Sequence, residues 1–156
     1  MSWRTLNGIF LKDSLKDAVE QAIIDEMNSG NKVRICIGTD SQVKGCIIEF
    51  ATVIVFIRLK NGGFMFLHKE QVSGKMAIRD RMMAEVTRSI ETTYQLQEVF
   101  DKYGIQPEVH ADINTSPSYK SHQALQDAMG YILGMGYAFR AKPHAFASTS
   151  CANKVL

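Results

Sequence analysis

Residues Val33–Gln42 read VRICIGTDSQ, and this stretch decides the fold. Val33, Ile35 and Ile37 alternate onto one face while Cys36 lies on the other, so the segment reads as a β-strand buried on both sides. Burial on both sides places it centrally in a sheet. The strand runs into Asp40. An unpaired buried carboxylate is costly, so an acid at the end of an apolar central strand needs a reason. Two are open: a turn-capping Asp with Ser41 as its partner, or a functional carboxylate.

Upstream, Asp13 or Ser14 can cap a helix whose apolar residues are Leu15, Ala18, Val19, Ala22, Ile23 and Met27, with Gly30 closing it. Downstream, GCIIEFATVIVFIRL (residues 45–59) is long and β-branched, and it connects back through a short link at Val43–Gly45. Asn61-Gly62-Gly63 then supplies the positive φ angles of a tight hairpin into LKNGGFMFLHKEQV (59–72). These three strands form an antiparallel meander.

A long helix is expected from about Met76 to Tyr103, ended by Gly104, with Met82, Met83, Val86, Ile90, Leu96 and Phe100 on its apolar stripe. PEVHADI (107–113) follows as a strand parallel to the first. Ser116 and Pro117 start another helix, lined by Leu125, Met129, Ile132 and Leu133 and ended by Gly134 and Gly136. A last strand at about Ala138–Lys142 precedes Pro143 and a short C-terminal segment of helical character. The expectation is one α/β domain over residues 1–156. Its mixed five-stranded sheet has three antiparallel strands and then two parallel ones, with flanking helices and an N-terminal helix.

Composition agrees with a soluble globular protein: 156 residues, 46% hydrophobic and 22% charged, with 18 basic against 16 acidic residues and a net charge of +2. That balance excludes disorder and a strongly basic nucleic-acid coat. Cys36, Cys46 and Cys151 are odd in number and lack C-x-x-C spacing, against both a disulfide framework and a structural zinc site. No secretory leader is visible in MSWRTLNGIFLKDS, and the most apolar run (46–59) is interrupted by Glu49 and Arg58. That run is also shorter than the roughly 18 residues a membrane span needs. A cytoplasmic, non-membrane protein is expected.

Three acids carry the chemistry. Asp40 and Asp112 each end a strand placed centrally in the sheet, where ligand sites of open α/β sheets gather. Glu85 lies on the shoulder of the long helix's stripe, with Asp80 and Glu91 on the solvent face. Taken singly, Asp112 also reads as an Asx turn and Glu85 as a boundary residue whose carboxylate reaches water. Together, three such carboxylates would repel one another, and a divalent cation removes the conflict. Oxygen donors with no nearby thiolate point to Mg²⁺ or Mn²⁺, and two such ions suit phosphodiester hydrolysis.

The order β-β-β-α-β-α-β, with Asp in strand one, Glu on the first long helix and Asp in strand four, resembles the ribonuclease H fold. WRTLNG, IGTDSQ, HADIN, GYILGMGY and AKPHAFASTSCANK resemble, more narrowly, the YkuK-like family of uncharacterised bacterial ribonuclease H-like proteins. The resemblance covers nearly the whole chain. It implies a metal-dependent nuclease with Asp40, Glu85 and Asp112 as ligands, Asp40 bridging both ions. It also implies a fourth acid in the closing segment, where this chain has Asn153. An amide can hold water or an ion, but it removes one negative charge and weakens the second metal.

Candidates to steady the ligands or contact substrate are Ser41, His110, Asn114, Lys142 and His144, with Ser116 weighed equally as a helix cap. His110 shares a strand face with Asp112, and His144 is a candidate proton shuttle. Lys120, Arg140, Lys142 and Lys154 form a phosphate-contacting rim or a solvated surface that also holds Glu108 and Asp127. The methionines at 76, 82, 83, 129 and 135 read as core filling, and GMGY as a helix end. The expected partner is nucleic acid (RNA, RNA–DNA hybrid or structured DNA), and a homo-oligomer would cover any bare edge of the apolar second strand. The alternatives are a catalytically attenuated binding module, favoured by Asn153, and a phosphotransfer domain, disfavoured by length and by the missing phosphate loops.

Overall fold

The structure is a computed structural model. It describes residues 2–60, 62–113 and 122–156. In chain order the elements are β1 (Arg4–Thr5), α1 (Leu15–Asn28), β2 (Val33–Lys44), β3 (Ile47–Arg58), β4 (Gly63–Ser73), α2 (Ile78–Gln95), α3 (Gln97–Tyr103), β5 (Glu108–His110), α4 (His122–Gly134) and β6 (Ala138–Arg140), closed by a π-helix (Ala147–Ala152). The sheet order is β1-β4-β3-β2-β5-β6, so VRICIGTDSQ lies inside the sheet. β2, β3 and β4 are antiparallel, and β5 and β6 are parallel additions.

The sheet has six strands, one more than the five expected. The addition is β1, which pairs Arg4 with Leu67 and Thr5 with Phe66. Two residues carry no readable period. Tertiary contacts hold them instead: Trp3 is buried with its ring 5.5 Å from that of His68, and the Leu11 N–H donates to the Trp3 carbonyl at 2.9 Å.

Local physics explains the other boundaries. Ser14 caps α1, its Oγ accepting the Asp17 N–H at 3.1 Å, a contact worth about 1 kcal/mol. Val43 and Lys44 belong to β2, so the turn is only Gly45-Cys46, with Gly45 at φ +63°. At the next turn Gly62 has the positive φ and Gly63 already starts β4, while Asn61 lies outside the described residues. The expected long helix starts at Ile78 and is divided at Leu96, whose φ and ψ are −100° and 4°. Thr93 Oγ1 donates back to the Ser89 carbonyl at 2.7 Å and the Leu96 N–H turns to Thr93 O at 3.1 Å, which tightens and ends the α-helical ladder. β5 stops at His110 and β6 at Arg140, leaving Asp112 and Lys142 two residues past their strands.

Alternation along the strands builds two packed layers. Ile35, Ile37, Ile54, Phe56 and Phe66 face α1 and α3, meeting Val19, Ile23, Val99 and Phe100. Cys36, Ala51, Val53 and Leu67 face the other way, onto Ala147 and Ala152 of the π-helix. Val86 and Ile90 of α2 pack with Val109 of β5 and Ala128 and Ile132 of α4. Met82, Met129 and Met135 pack against that cluster as core filling, but Met76 is exposed. Met27 and Leu133 also face solvent, contrary to their place on the expected stripes. Ser116, Pro117 and the Leu125 side chain lie outside the described residues. Among the described residues, no helix is long and apolar enough to cross a membrane.

Candidate functional site

Asp40 does not end its strand as expected: the antiparallel ladder with β3 carries β2 on to Lys44, with Asp40 opposite Ala51. This second half of β2 presents opposite faces to two helices. Thr39 and Ser41 turn to α2, where Thr39 Oγ1 lies 2.7 Å from Ser89 Oγ and 3.1 Å from Thr52 Oγ1. These short side chains bring α2 close to the sheet. Ser41 Oγ donates to Glu85 Oε2 at 2.6 Å, so the presumed shoulder residue is buried. Asp40 is buried as well, and its Oδ1 accepts the Ser41 N–H at 2.8 Å. The Glu85 carboxyl is pushed up to about 8, chiefly by burial. The Ser41 hydrogen bond and the Arg81 charge oppose that shift, whereas the Asp40 charge and a hydrogen bond with Asp40 reinforce it. Two acids from segments 45 residues apart thus share one buried spot. Asp80 and Glu91 are exposed, as their helix positions require.

The π-helix approaches Asp40 from the other face. Gly38 makes this possible: a Cβ there would lie 2.5 Å from the Ser148 nitrogen and 2.7 Å from the Ala147 carbonyl carbon. Beside it, buried His110 accepts the Ala147 N–H on Nδ1 at 3.1 Å, and the Phe146 ring meets its imidazole edge-on at 4.6 Å. His110 Nε2 faces Glu108 Oε1 at 3.3 Å, and burial keeps the imidazole's pKa below its ordinary value. Glu108 also takes a two-pronged hydrogen bond from Arg34, at 2.8 and 2.9 Å, which holds its carboxyl below the usual range. It is buried, not part of a solvated rim. Seated this way, the π-helix delivers Asn153, whose Nδ2 donates to Asp40 Oδ2 at 2.9 Å. The Gly38 seat and the Arg34–Glu108–His110 chain behind it were missed in the sequence, where only the glycine inside a strand pattern hinted at a close backbone approach.

Asp112 sits on the parallel side. The Ala111 N–H donates to Arg140 O at 2.9 Å and the Lys142 N–H to Ile113 O at 3.3 Å, which aligns Lys142 with Asp112. Lys142 Nζ lies 2.7 Å from Asp112 Oδ1. That oxygen is buried and the ammonium stands off its hydrogen-bonding direction, so the contact is an ion pair and not a formed hydrogen bond. Next to it, a cavity of about 680 Å³ is lined by Phe139, Arg140, Lys142, Pro143, His144 and Met129. His144, Arg140, Lys142 and Lys154 are exposed; Asn114, Ser116 and Lys120 lie outside the described residues.

Among the described residues, one trio of potential metal ligands has its donor atoms all within 4.8 Å: Cys36, Glu108 and His110. Its donors are already engaged. Burial pushes the Cys36 thiol up to about 12, Glu108 is held by Arg34, and His110 Nδ1 accepts the Ala147 N–H. A metal there would need a thiolate and a free imidazole lone pair. Asp40, Glu85 and Asp112 do not meet that spacing as a trio; Asp40 and Glu85 are together, and Asp112 is turned to Lys142. Their chemistry nevertheless suits a hard cation. All donors are oxygen, two carboxyls crowd one buried spot, and a buried Asp112 oxygen has no hydrogen-bond partner.

A mixed sheet whose central strand carries a buried Asp40 paired with Glu85 of α2, enclosed by that helix and a C-terminal one, defines the class. The sequence model of the ribonuclease H-like family matches residues 17–156, and the chain belongs to that family. No curated protein and no solved structure matches it.

Proposed function

We propose that this protein, whose motifs resemble the uncharacterised YkuK-like proteins, hydrolyses phosphodiester bonds in nucleic acid with Mg²⁺ or Mn²⁺ held by Asp40, Glu85 and Asp112. What carries the reading is the meeting of Asp40 and Glu85, two buried acids from β2 and α2 with no cationic side chain among the described residues hydrogen-bonded between them. Bound ions would activate water and stabilise the leaving oxygen. The chain's own residues set the stage. Ser41 fixes both acids, by its N–H and its hydroxyl. Asn153 orients Asp40, and His110 and Gly38 seat the helix that carries Asn153. Water adds its oxygen to phosphorus, the bond to the sugar oxygen breaks, and that oxygen leaves as the alcohol.

A second reading has one observation of its own. Asn153 points its amide N–H at Asp40, a contact that satisfies the acid without a metal. An attenuated module that binds nucleic acid without cleaving it would look the same. Cleavage assays on single-stranded RNA, RNA–DNA hybrid and branched DNA, with wild type, Asp40→Asn and Asn153→Asp, separate the two. Wild-type activity lost in Asp40→Asn supports the nuclease. Activity found only in Asn153→Asp establishes the binding module.

A further inference from the structure

We propose that Lys142 is the resident counter-cation of Asp112, and that a divalent ion loads the site by exchange with this ammonium. The inference rests on the metal-site reading above and adds to it how the site stays neutral before metal arrives. Asp112 has one charged neighbour within ion-pairing distance among the described residues, Lys142 Nζ at 2.7 Å. The contact is close but misdirected, since the buried Oδ1 forms no hydrogen bond. Charge balance, more than directional bonding, holds the two together. Arg140 cannot take the same part, because its guanidinium leans on Glu108 at 3.6 Å.

Placement favours exchange. The backbone ladder from Ala111–Arg140 to Ile113–Lys142 fixes where the lysine starts, while its side chain is 48% exposed and borders the open cavity of about 680 Å³. The ammonium can therefore leave Asp112 for that cavity without disturbing the core. Among the described residues Asp40 and Glu85 have no ion-pair partner of this kind; they are satisfied by hydrogen bonds with Ser41 and Asn153. The exchange thus takes place on the Asp112 limb of the site. A long, flexible cation suits this part better than arginine, whose fork would hold a carboxylate by two bonds.

The experiment is Mn²⁺ titration of the metal-free full chain, read by calorimetry and by the electron paramagnetic resonance signal of the free ion. Wild type, Lys142→Met, Lys142→Gln, Lys154→Met and Asp40→Asn are compared, with circular dichroism to establish folding. Removing a half-exposed competing ion pair should tighten Mn²⁺ binding roughly three- to tenfold in both Lys142 variants. Lys154→Met removes an equal charge that does not touch Asp112 and should change affinity less than about twofold by screening. Equal or weaker binding in the Lys142 variants overturns the exchange, as does an equal gain in Lys154→Met. If wild type binds Mn²⁺ and Asp40→Asn does not, the site reading survives that loss. No binding by wild type or either Lys142 variant removes both.

Discussion

The two halves of the site are stabilised by opposite means. On the β2–α2 side, Asp40 and Glu85 are buried and held by hydrogen bonds from Ser41 and Asn153. On the β5–β6 side, Asp112 is partly exposed beyond the end of its strand and balanced by a half-exposed lysine. The difference shows what burial demands. A buried acid must be given donors or a proton, whereas an acid at the rim can be answered by a charge that water screens. One half is consequently pre-formed and the other is adjustable.

The largest effect should come from striking the pre-formed half. Asp40→Asn is expected to lower Mn²⁺-dependent cleavage by at least about 10³-fold while the far-ultraviolet circular dichroism stays unchanged, because the central ligand loses its charge. Gly38→Ala should destabilise the protein by about 2–3 kcal/mol in urea unfolding, because its Cβ meets the π-helix backbone, which has no flexible end to move aside. The same variant should release Asn153 from Asp40.

Glu85→Gln probes pH. A carboxyl raised from 4.5 to about 8 is favoured in its neutral form by the folded state. Its contribution to stability is full below pH 4.5 and is lost as pH rises through about 8. The metal-free wild type should therefore melt at lower temperature at pH 8.5 than at pH 5.5, and Glu85→Gln should reduce that fall. A wild-type profile no steeper than the variant's would refute the burial argument. The smallest effect belongs to the adjustable half: Asp112→Asn should change metal-free stability by no more than about 1 kcal/mol, as partly exposed ion pairs do. A loss as large as that of Gly38→Ala would erase the contrast between the halves.

Legibility followed the length over which each signal acts. The central strand and the meander were readable because alternation and turn residues act within a few positions, whereas neither aspartate ends its strand: β2 continues to Lys44 and β5 stops at His110. Glu85 was located on the shoulder of the helix stripe and grouped with Asp40 and Asp112 as a ligand, but a helical wheel does not show that Ser41 stands opposite it. The division at Leu96 escaped notice because a threonine bonding back to its own helix leaves the apolar stripe intact. β1 and the π-helix seat were hidden for a simpler reason: two residues against β4, and one absent Cβ against Ser148, have no period.

By itself the sequence determined most of the residues that face inward, where the meander turns and which strands Asp40 and Asp112 belong to or follow, since those follow from side-chain period and local backbone freedom. Only the tertiary structure decided that Asp40 and Glu85 share one buried spot, that His110 fastens the helix bearing Asn153, and that Asp112 is answered by Lys142. These are meetings between residues up to 113 positions apart, and their energies depend on distance and exclusion of water, which no local pattern encodes.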